Sequence, residues 1–156
     1  MTFKINVYVE PHYPLKKSLL TAAADTALSA ANVKGKIEVS ISVIGDRKMR
    51  QLNREYRSID KPTDVLAFPY SLQTKENPPS GGFVSPPSKY LGIGDVIISY
   101  PQLLERAAKE DMLVDEMARL LVVHGTLHLL GYDHEEGEDA AAMETLEDKA
   151  LTSITN

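Results

Sequence analysis

The chain has 156 residues, of which 43% are hydrophobic and 25% are charged. These ordinary proportions exclude collagen, coiled-coil and wholly disordered proteins, and they predict one globular domain over residues 1–156. Because cysteine is absent, disulfides, thiolate metal sites and cysteine nucleophiles are excluded. No apolar run reaches the roughly 20 residues of a membrane helix, and the first residues lack a signal-peptide pattern. We therefore expect a cytoplasmic enzyme or interaction module with no membrane partner.

The net charge of −5 hides an asymmetry along the chain. Residues 1–62 contain 11 Lys and Arg against 6 Asp and Glu, whereas residues 63–156 contain 6 against 16. The first part could therefore bind a polyanion. Opposite charges that cover different faces of one domain would give the same counts, so charge alone does not decide between the two interpretations.

Hydrophobic periodicity predicts the secondary structure. The predicted elements in chain order are strand 3–9, helix 15–31, strand 36–44, helix 47–57 with Asp46 as N-cap, strand 64–68, strand 90–99, and helices 101–110, 114–130 and about 138–151. The Pro-, Gly- and Ser-rich residues 71–89 are predicted to form a surface loop. Because strands come early and helices late, we predict an α+β fold, with a small mixed sheet of about four strands packed with helices.

Three of the four histidines lie within eleven residues, at positions 124, 128 and 134. His124 and His128 are four residues apart on a predicted helix, so their side chains project from the same face. Gly131 is placed where the helix can end in a left-handed cap, after which His134 can return to the same point. Three imidazoles with one open position are typical of a catalytic zinc site, although they also suit copper, nickel or iron.

The histidine spacing is that of the metzincin metalloproteases, in which the motif is H-E-x-x-H-x-x-G-x-x-H. This chain has Gly125 where those enzymes have the glutamate that acts as general base. A peptidase needs that carboxylate to move a proton to the leaving amine. We therefore predict a metzincin-like histidine helix, but a zinc metallopeptidase-like hydrolase is a less favoured alternative for the function.

Four arginines at helical spacing form a basic face on the predicted helix 47–57, namely Arg47, Arg50, Arg54 and Arg57. Apolar residues occupy another face, namely Met49, Leu52 and Tyr56. A solvated surface stripe is the ordinary interpretation, but the planar guanidinium suits phosphate oxygens. A metal and an arginine without a carboxylate base favour a phosphodiester substrate over a peptide, because the transition state of phosphate cleavage gathers negative charge. Arg47, Arg50 and Arg54 are thus predicted to contact the phosphates of such a substrate, which is RNA if the family resemblance described below holds.

Two carboxylates are candidate neighbours of the site motifs, namely Asp133 and Asp95. Asp133 could orient a histidine or cap the turn after Gly131. The acidic stretch 135–148 is expected to be the solvated face of the last helix, since a polyanionic substrate would avoid it.

Taken together, these segments resemble the YbeY family of bacterial endoribonucleases that act in ribosomal RNA maturation. The resemblance is carried by H-G-T-L-H-L-L-G-Y-D-H at 124–134, L-N-R-E-Y-R at 52–57, D-K-P-T-D-V-L-A-F-P at 60–69 and L-G-I-G-D-V-I-I-S at 91–99. It implies one zinc ion held by His124, His128 and His134, and it implies that Arg57 is the functional arginine beside the metal.

The resemblance also implies the substrate and partners: single-stranded RNA, above all ribosomal RNA, together with the small ribosomal subunit and assembly factors, and no DNA. We therefore expect a metal-dependent endoribonuclease in which the ion activates a water or the ribose 2′-OH and Arg57 stabilises charge on phosphate. A further alternative is a non-catalytic ribosome-assembly factor that binds RNA through the arginine face and uses the metal only for its stability.

Overall fold

The computed structural model describes residues 3–70, 90–132 and 137–155. Its elements in chain order are β1 Phe3–Val9, α1 Lys17–Ala30, β2 Ile37–Ile44, α2 Asp46–Arg57, β3 Val65–Pro69, β4 Leu91–Ser99, α3 Tyr100–Lys109, α4 Val114–Leu129 and α5 Gly137–Thr155. The predicted loop at 71–89 and the predicted roles of Asp133 and His134 fall outside these described residues.

The four strands form one mixed sheet in the order β1-β2-β4-β3. β1, β2 and β4 run parallel, whereas β3 runs antiparallel to β4 and forms one edge of the sheet. The parallel strands are joined by connections that contain α1 and α2, as parallel pairing requires. The predicted α+β fold with a small mixed sheet is confirmed.

Helices cover the two faces of the sheet unequally. α1, α4 and α5 pack on one another, and α1 and α4 also pack on the strands. The main core lies between this layer and one sheet face, where Val39, Val96 and Ile98 are fully buried or nearly so. The alternate strand residues face the other way, and part of that face is covered by α2 through a smaller cluster around Met49 and Leu66. The helices α2 and α4 therefore approach the sheet from opposite faces.

The predicted element boundaries differ from the observed ones by a few residues. The most informative difference is at Asp46, which is the first residue of α2 rather than its N-cap; Gly45 occupies the cap position. The Asp46 carboxylate instead accepts hydrogen bonds from Ser99 Oγ at 2.7 Å and from Gln102 Nε2 at 3.2 Å. It ties α2 to the start of α3, a contact between distant segments that local sequence does not encode. Among the described residues, no helix combines the length and apolarity needed to span a membrane.

Candidate functional site

The histidine pair lies in the second half of α4. His124 and His128 are one turn apart, with ring centroids separated by 6.3 Å. His124 is partly exposed and His128 is exposed, so both rings can be reached from solvent. With metal–nitrogen bonds of ~2.0–2.1 Å, two imidazoles on one tetrahedral ion have centroids roughly 5 Å apart. A small rotation of the side chains would therefore let both rings bind the same ion.

A buried carboxylate on α5 contacts this pair. Glu147 Oε2 lies 3.2 Å from His124 Nδ1, and only 7% of Glu147 is exposed. Histidines that bind metals almost always donate their second ring nitrogen to such an oxygen. The donor set, two imidazoles one turn apart with a carboxylate behind one of them, fits a metal ion. The expectation that the acidic stretch 135–148 is solvated is wrong for Glu147.

The end of α4 has the geometry that Gly131 predicts. Gly131 has φ +99°, its N–H donates to His128 O, and the N–H of Tyr132 donates to Leu127 O. These two bonds form a Schellman motif, which ends the helix just after the histidine pair. His134, the third predicted ligand, lies beyond the described residues. Within the described residues, no group of three or more His, Asp or Glu side chains is arranged to hold a metal.

Gly125 is explained by packing. A Cβ atom built there would lie 2.6 Å from Cγ1 of Val96 and 3.4 Å from Cγ2 of Val65. The position therefore faces the sheet, and α4 lies against β3 and β4 so closely that a side chain does not fit. This backbone arrangement cannot accept a glutamate at position 125, which removes the general base that a metzincin-like peptidase requires.

Arg57 is the last residue of α2. The turn after it is held by the buried side chain of Asn53, whose Nδ2 donates to Lys61 O at 2.8 Å. Ser58 adopts the left-handed conformation, with φ 59°, and reverses the chain. Arg57 is exposed, and no ion pair to it is found in the part of the chain that the structure describes. Its guanidinium is thus available to an anionic ligand.

The other three arginines of the basic face line a surface depression with Gln51, as the helical spacing predicts. Two of them are already paired. Arg50 makes a two-point contact with Asp60, at 2.9 and 3.2 Å, and Arg54 Nη1 lies 3.7 Å from the same carboxylate. The contact with Arg50 lowers the pKa of the Asp60 carboxyl below its ordinary value. Asp60 therefore offsets part of the positive charge of this surface.

The predicted apolar face of α2 is only partly correct. Met49 is fully buried and Asn53 is almost fully buried beside it, but Tyr56 is 62% exposed. The Tyr56 ring packs edge-on against Phe68 of β3, with centroids 5.1 Å apart. Helix α2 thus reaches the edge strand near its C-terminal end, where Arg57 lies.

The edge strand β3 separates the two sets of candidate residues. Phe68 contacts α2 on one face of the sheet, while Val65 lies beneath Gly125 of α4 on the other face. Since β4 pairs with only one side of β3, the other side is an edge of the sheet. The structure brings His124 and His128 together and places Arg57 on a helix that approaches the same strand from the opposite face.

Asp95 does not belong to the histidine site. Val96 points to Gly125, so Asp95, the preceding residue in β4, points to the opposite face of the sheet. There it accepts a hydrogen bond from Tyr70 Oη at 3.0 Å, and burial raises the pKa of its carboxyl. Burial and the neighbouring Asp95 raise the pKa of Tyr70 to about 12. Glu147 is a carboxylate that does contact a histidine, and the signal for its burial in the sequence is its place between two apolar residues of α5, Met143 and Ala150.

Comparison with known proteins identifies the family. Residues 10–155 match the sequence profile of the family described as Endoribonuclease YbeY. Proteins named Endoribonuclease YbeY from Chloroflexus aggregans and Dehalococcoides mccartyi are 36% and 38% identical to the chain; the matches cover 99% and 97% of it and 97% and 96% of those proteins. The solution structure of TM1509 from Thermotoga maritima matches the fold with a TM-score of 0.58 at 20% identity, over 97% of this chain and 91% of that one. The chain belongs to the Endoribonuclease YbeY family.

Proposed function

We propose that this protein is a metal-dependent endoribonuclease, a hydrolase that cleaves single-stranded RNA. The observation that carries the proposal is the match over residues 10–155 to a family described as an endoribonuclease. The exposed histidine pair and the exposed Arg57 support it, because a metal and an arginine suit a phosphodiester, whereas a peptidase of this type would need a carboxylate at position 125. The activity is assigned to one domain over residues 1–156.

The metal would be held by His124, His128 and His134, with zinc as the first candidate among divalent transition metals. When bound, such an ion supplies Lewis acidity, which polarises a phosphoryl oxygen and makes a water or a 2′-hydroxyl more acidic. Glu147 keeps a carboxylate at Nδ1 of His124, and the fold of α4 keeps the two imidazoles on one face. The protein residues thus fix the position of the donors before any ligand arrives.

Arg57 would bind the phosphate that is cleaved and stabilise the charge that develops on it. Its position on the other side of β3 suggests how RNA lies in the site. A strand of RNA placed along the edge of β3 could touch Arg57 on one side and the histidine pair on the other. Arg47, Arg50 and Arg54 would extend this contact as binding sites for neighbouring phosphates, subject to competition from Asp60.

Ribosomal RNA is the proposed substrate, with the small ribosomal subunit and assembly factors as partners in the cytoplasm and no DNA substrate. The peptidase alternative has no support from the structure, since Gly125 faces packed side chains. The alternative of an assembly factor whose metal serves only stability makes a different experimental prediction, because removal of a ligand would then unfold the protein instead of abolishing cleavage.

The test is cleavage of a labelled single-stranded RNA by protein of known zinc content. Wild type, Arg57→Ala, His124→Ala and, as control, Lys17→Ala on α1 are compared, with single-stranded DNA and casein as further substrates. We expect the rate of RNA cleavage to follow zinc content. Arg57→Ala should lower that rate roughly 10²–10³-fold, the usual effect of removing one group that stabilises transition-state charge, and Lys17→Ala should leave it unchanged. A folded, zinc-replete wild type that cleaves none of the substrates would refute the nuclease, and loss of folding in His124→Ala would favour the assembly factor.

A further inference from the structure

We propose that Glu147 is a positioning residue that holds His124 in the orientation and tautomer needed to bind the metal. This inference rests on the metal site of the proposed function. It assigns the C-terminal helix α5 a role in that site, although α5 carries none of the predicted ligands.

The first support is where the carboxylate lies. Met143, Glu147 and Ala150 have the spacing of one helical face, and all three are buried. Met143 and Ala150 are fully buried apolar side chains, so the position between them is one where packing alone favours another apolar residue. Burying a carboxylate there is costly unless it is hydrogen-bonded. The contact with His124 compensates for that cost.

The second support is the chemistry of the contact. Glu147 Oε2 lies 3.2 Å from His124 Nδ1, and an ionised carboxylate at this place can only accept a hydrogen bond, which favours the form of His124 that carries a proton on Nδ1. When Nδ1 carries the proton of a neutral imidazole, the lone pair is on Nε2, at the far side of the ring. Glu147 therefore selects the tautomer in which the outward nitrogen can bind a metal.

The third support is the rigidity of the two helices. Glu147 and His124 are 23 residues apart, and α4 and α5 pack on each other and on α1. His124 also lies next to Gly125, where α4 is pressed against the sheet. The carboxylate that contacts the ring is thus carried by a buried side chain of a packed helix, which limits its movement, as a preorganised ligand requires.

The test compares Zn²⁺ affinity with the stability of the metal-free protein. Glu147→Gln keeps the size of the side chain but can donate as well as accept, and Glu147→Leu completes the apolar face of α5. Glu144→Gln, at an exposed position one turn away, is the matched control. Zn²⁺ affinity is measured by competition with a chromophoric chelator, melting temperature is measured without metal, and the tautomer of His124 is read from long-range ¹H–¹⁵N spectra of the metal-free protein.

We expect Glu147→Gln and Glu147→Leu to bind Zn²⁺ about 10–100-fold more weakly, the usual effect of removing an outer partner of a metal-binding histidine. Without metal, the melting temperature of Glu147→Leu should be no lower than that of wild type. The Nδ1–H tautomer of His124 should dominate in wild type and in Glu144→Gln but not in the two Glu147 variants. Wild-type Zn²⁺ affinity in both Glu147 variants would overturn the positioning role and leave the metal site intact. A wild type that binds no Zn²⁺ would instead refute the metal site of the proposed function.

Discussion

Among single residues, Asp95, on the face of the sheet opposite α4, makes the stability of the fold depend on pH. Its side chain is partly buried, and this burial raises the pKa of its carboxyl despite the hydrogen bond from Tyr70, which acts in the other direction. A carboxyl whose pKa is higher in the folded than in the unfolded protein contributes stability below its unfolded pKa and loses it as pH rises through the folded value. At neutral pH, the ionised Asp95 therefore lowers the stability of the fold.

We expect Asp95→Asn to raise the melting temperature at pH 7, because the amide keeps an oxygen for the Tyr70 hydrogen bond and removes the buried charge. The gain should shrink as the pH is lowered towards the ordinary carboxyl value of 3.8, since the wild-type carboxyl then becomes neutral as well. Calorimetric melting of both proteins between pH 4 and pH 8 measures this difference. Asp148→Asn, at an exposed position of α5, serves as the control. A gain that is independent of pH would contradict the electrostatic explanation.

At the scale of whole elements, one glycine inside α4 and one just after its C-terminal end test different physical effects. Gly125 has a helical conformation that any residue can adopt, so the backbone does not require glycine there. What limits the position is space, because a new Cβ atom would collide with the fully buried side chain of Val96. We expect Gly125→Ala to lower the free energy of unfolding by about 1–2 kcal/mol, since the overpacking exceeds the gain in helix propensity. Urea denaturation measures this loss. In the double variant with Val96→Ala, part of the loss should be recovered, whereas additive losses would show that contact with Val96 is not the cause.

At Gly131 the space is open and the conformation is restrictive. Nothing lies within 4 Å of an added Cβ atom, but φ is +99°. We expect Gly131→Ala to cost roughly 1–2 kcal/mol of stability through backbone strain alone, and Gly131→Asn to cost less, because asparagine tolerates left-handed conformations. Urea denaturation of the two variants makes the comparison. Equal losses would indicate that the Schellman motif is not what constrains this position.

The elements themselves could largely be predicted from the sequence, because each depends on local periodicity. The strand at 3–9, the turn at Gly131 and the shared face of His124 and His128 all follow from spacings of a few residues. Contacts between distant segments could not be predicted in this way. The sequence predicts a solvated face for Glu147 because the stretch 135–148 contains six other acidic residues, and only the packing of α5 on α4 shows that Glu147 is buried. The family resemblance is confirmed, whereas the roles of Arg57 and the three histidines stay predictions.

At the scale of the whole molecule, charge decides where a polyanion can lie. The basic face of α2 and the edge of β3 are on one side, and the exposed acidic residues of α5 belong to the helical layer that covers the opposite face of the sheet. We therefore expect RNA bound by the arginines of α2 to lie away from the exposed acidic residues of α5 and to come near that helix only at the histidine pair, where Glu147 is buried. Within the basic face, Asp60 is paired with Arg50 and Arg54, so a phosphate that bound these arginines would have to compete with its carboxylate.

This competition gives a prediction about RNA affinity that is separate from cleavage. In a His124→Ala background, which we expect to prevent turnover, Asp60→Asn should strengthen binding of single-stranded RNA several-fold, because two guanidiniums lose a charged partner and can contact phosphate oxygens. Each additional phosphate contact should steepen the dependence of log K on log[salt] by about 0.7 for a single strand.

Arg47→Ala should act in the opposite direction, weakening binding and flattening the salt dependence, while Lys17→Ala on the far layer should change neither. Fluorescence anisotropy at several salt concentrations measures both quantities. If Asp60→Asn left the RNA affinity and the salt dependence unchanged, Arg50 and Arg54 would be solvated surface arginines that do not contact RNA. The RNA-binding surface would then include Arg57 but not these two residues.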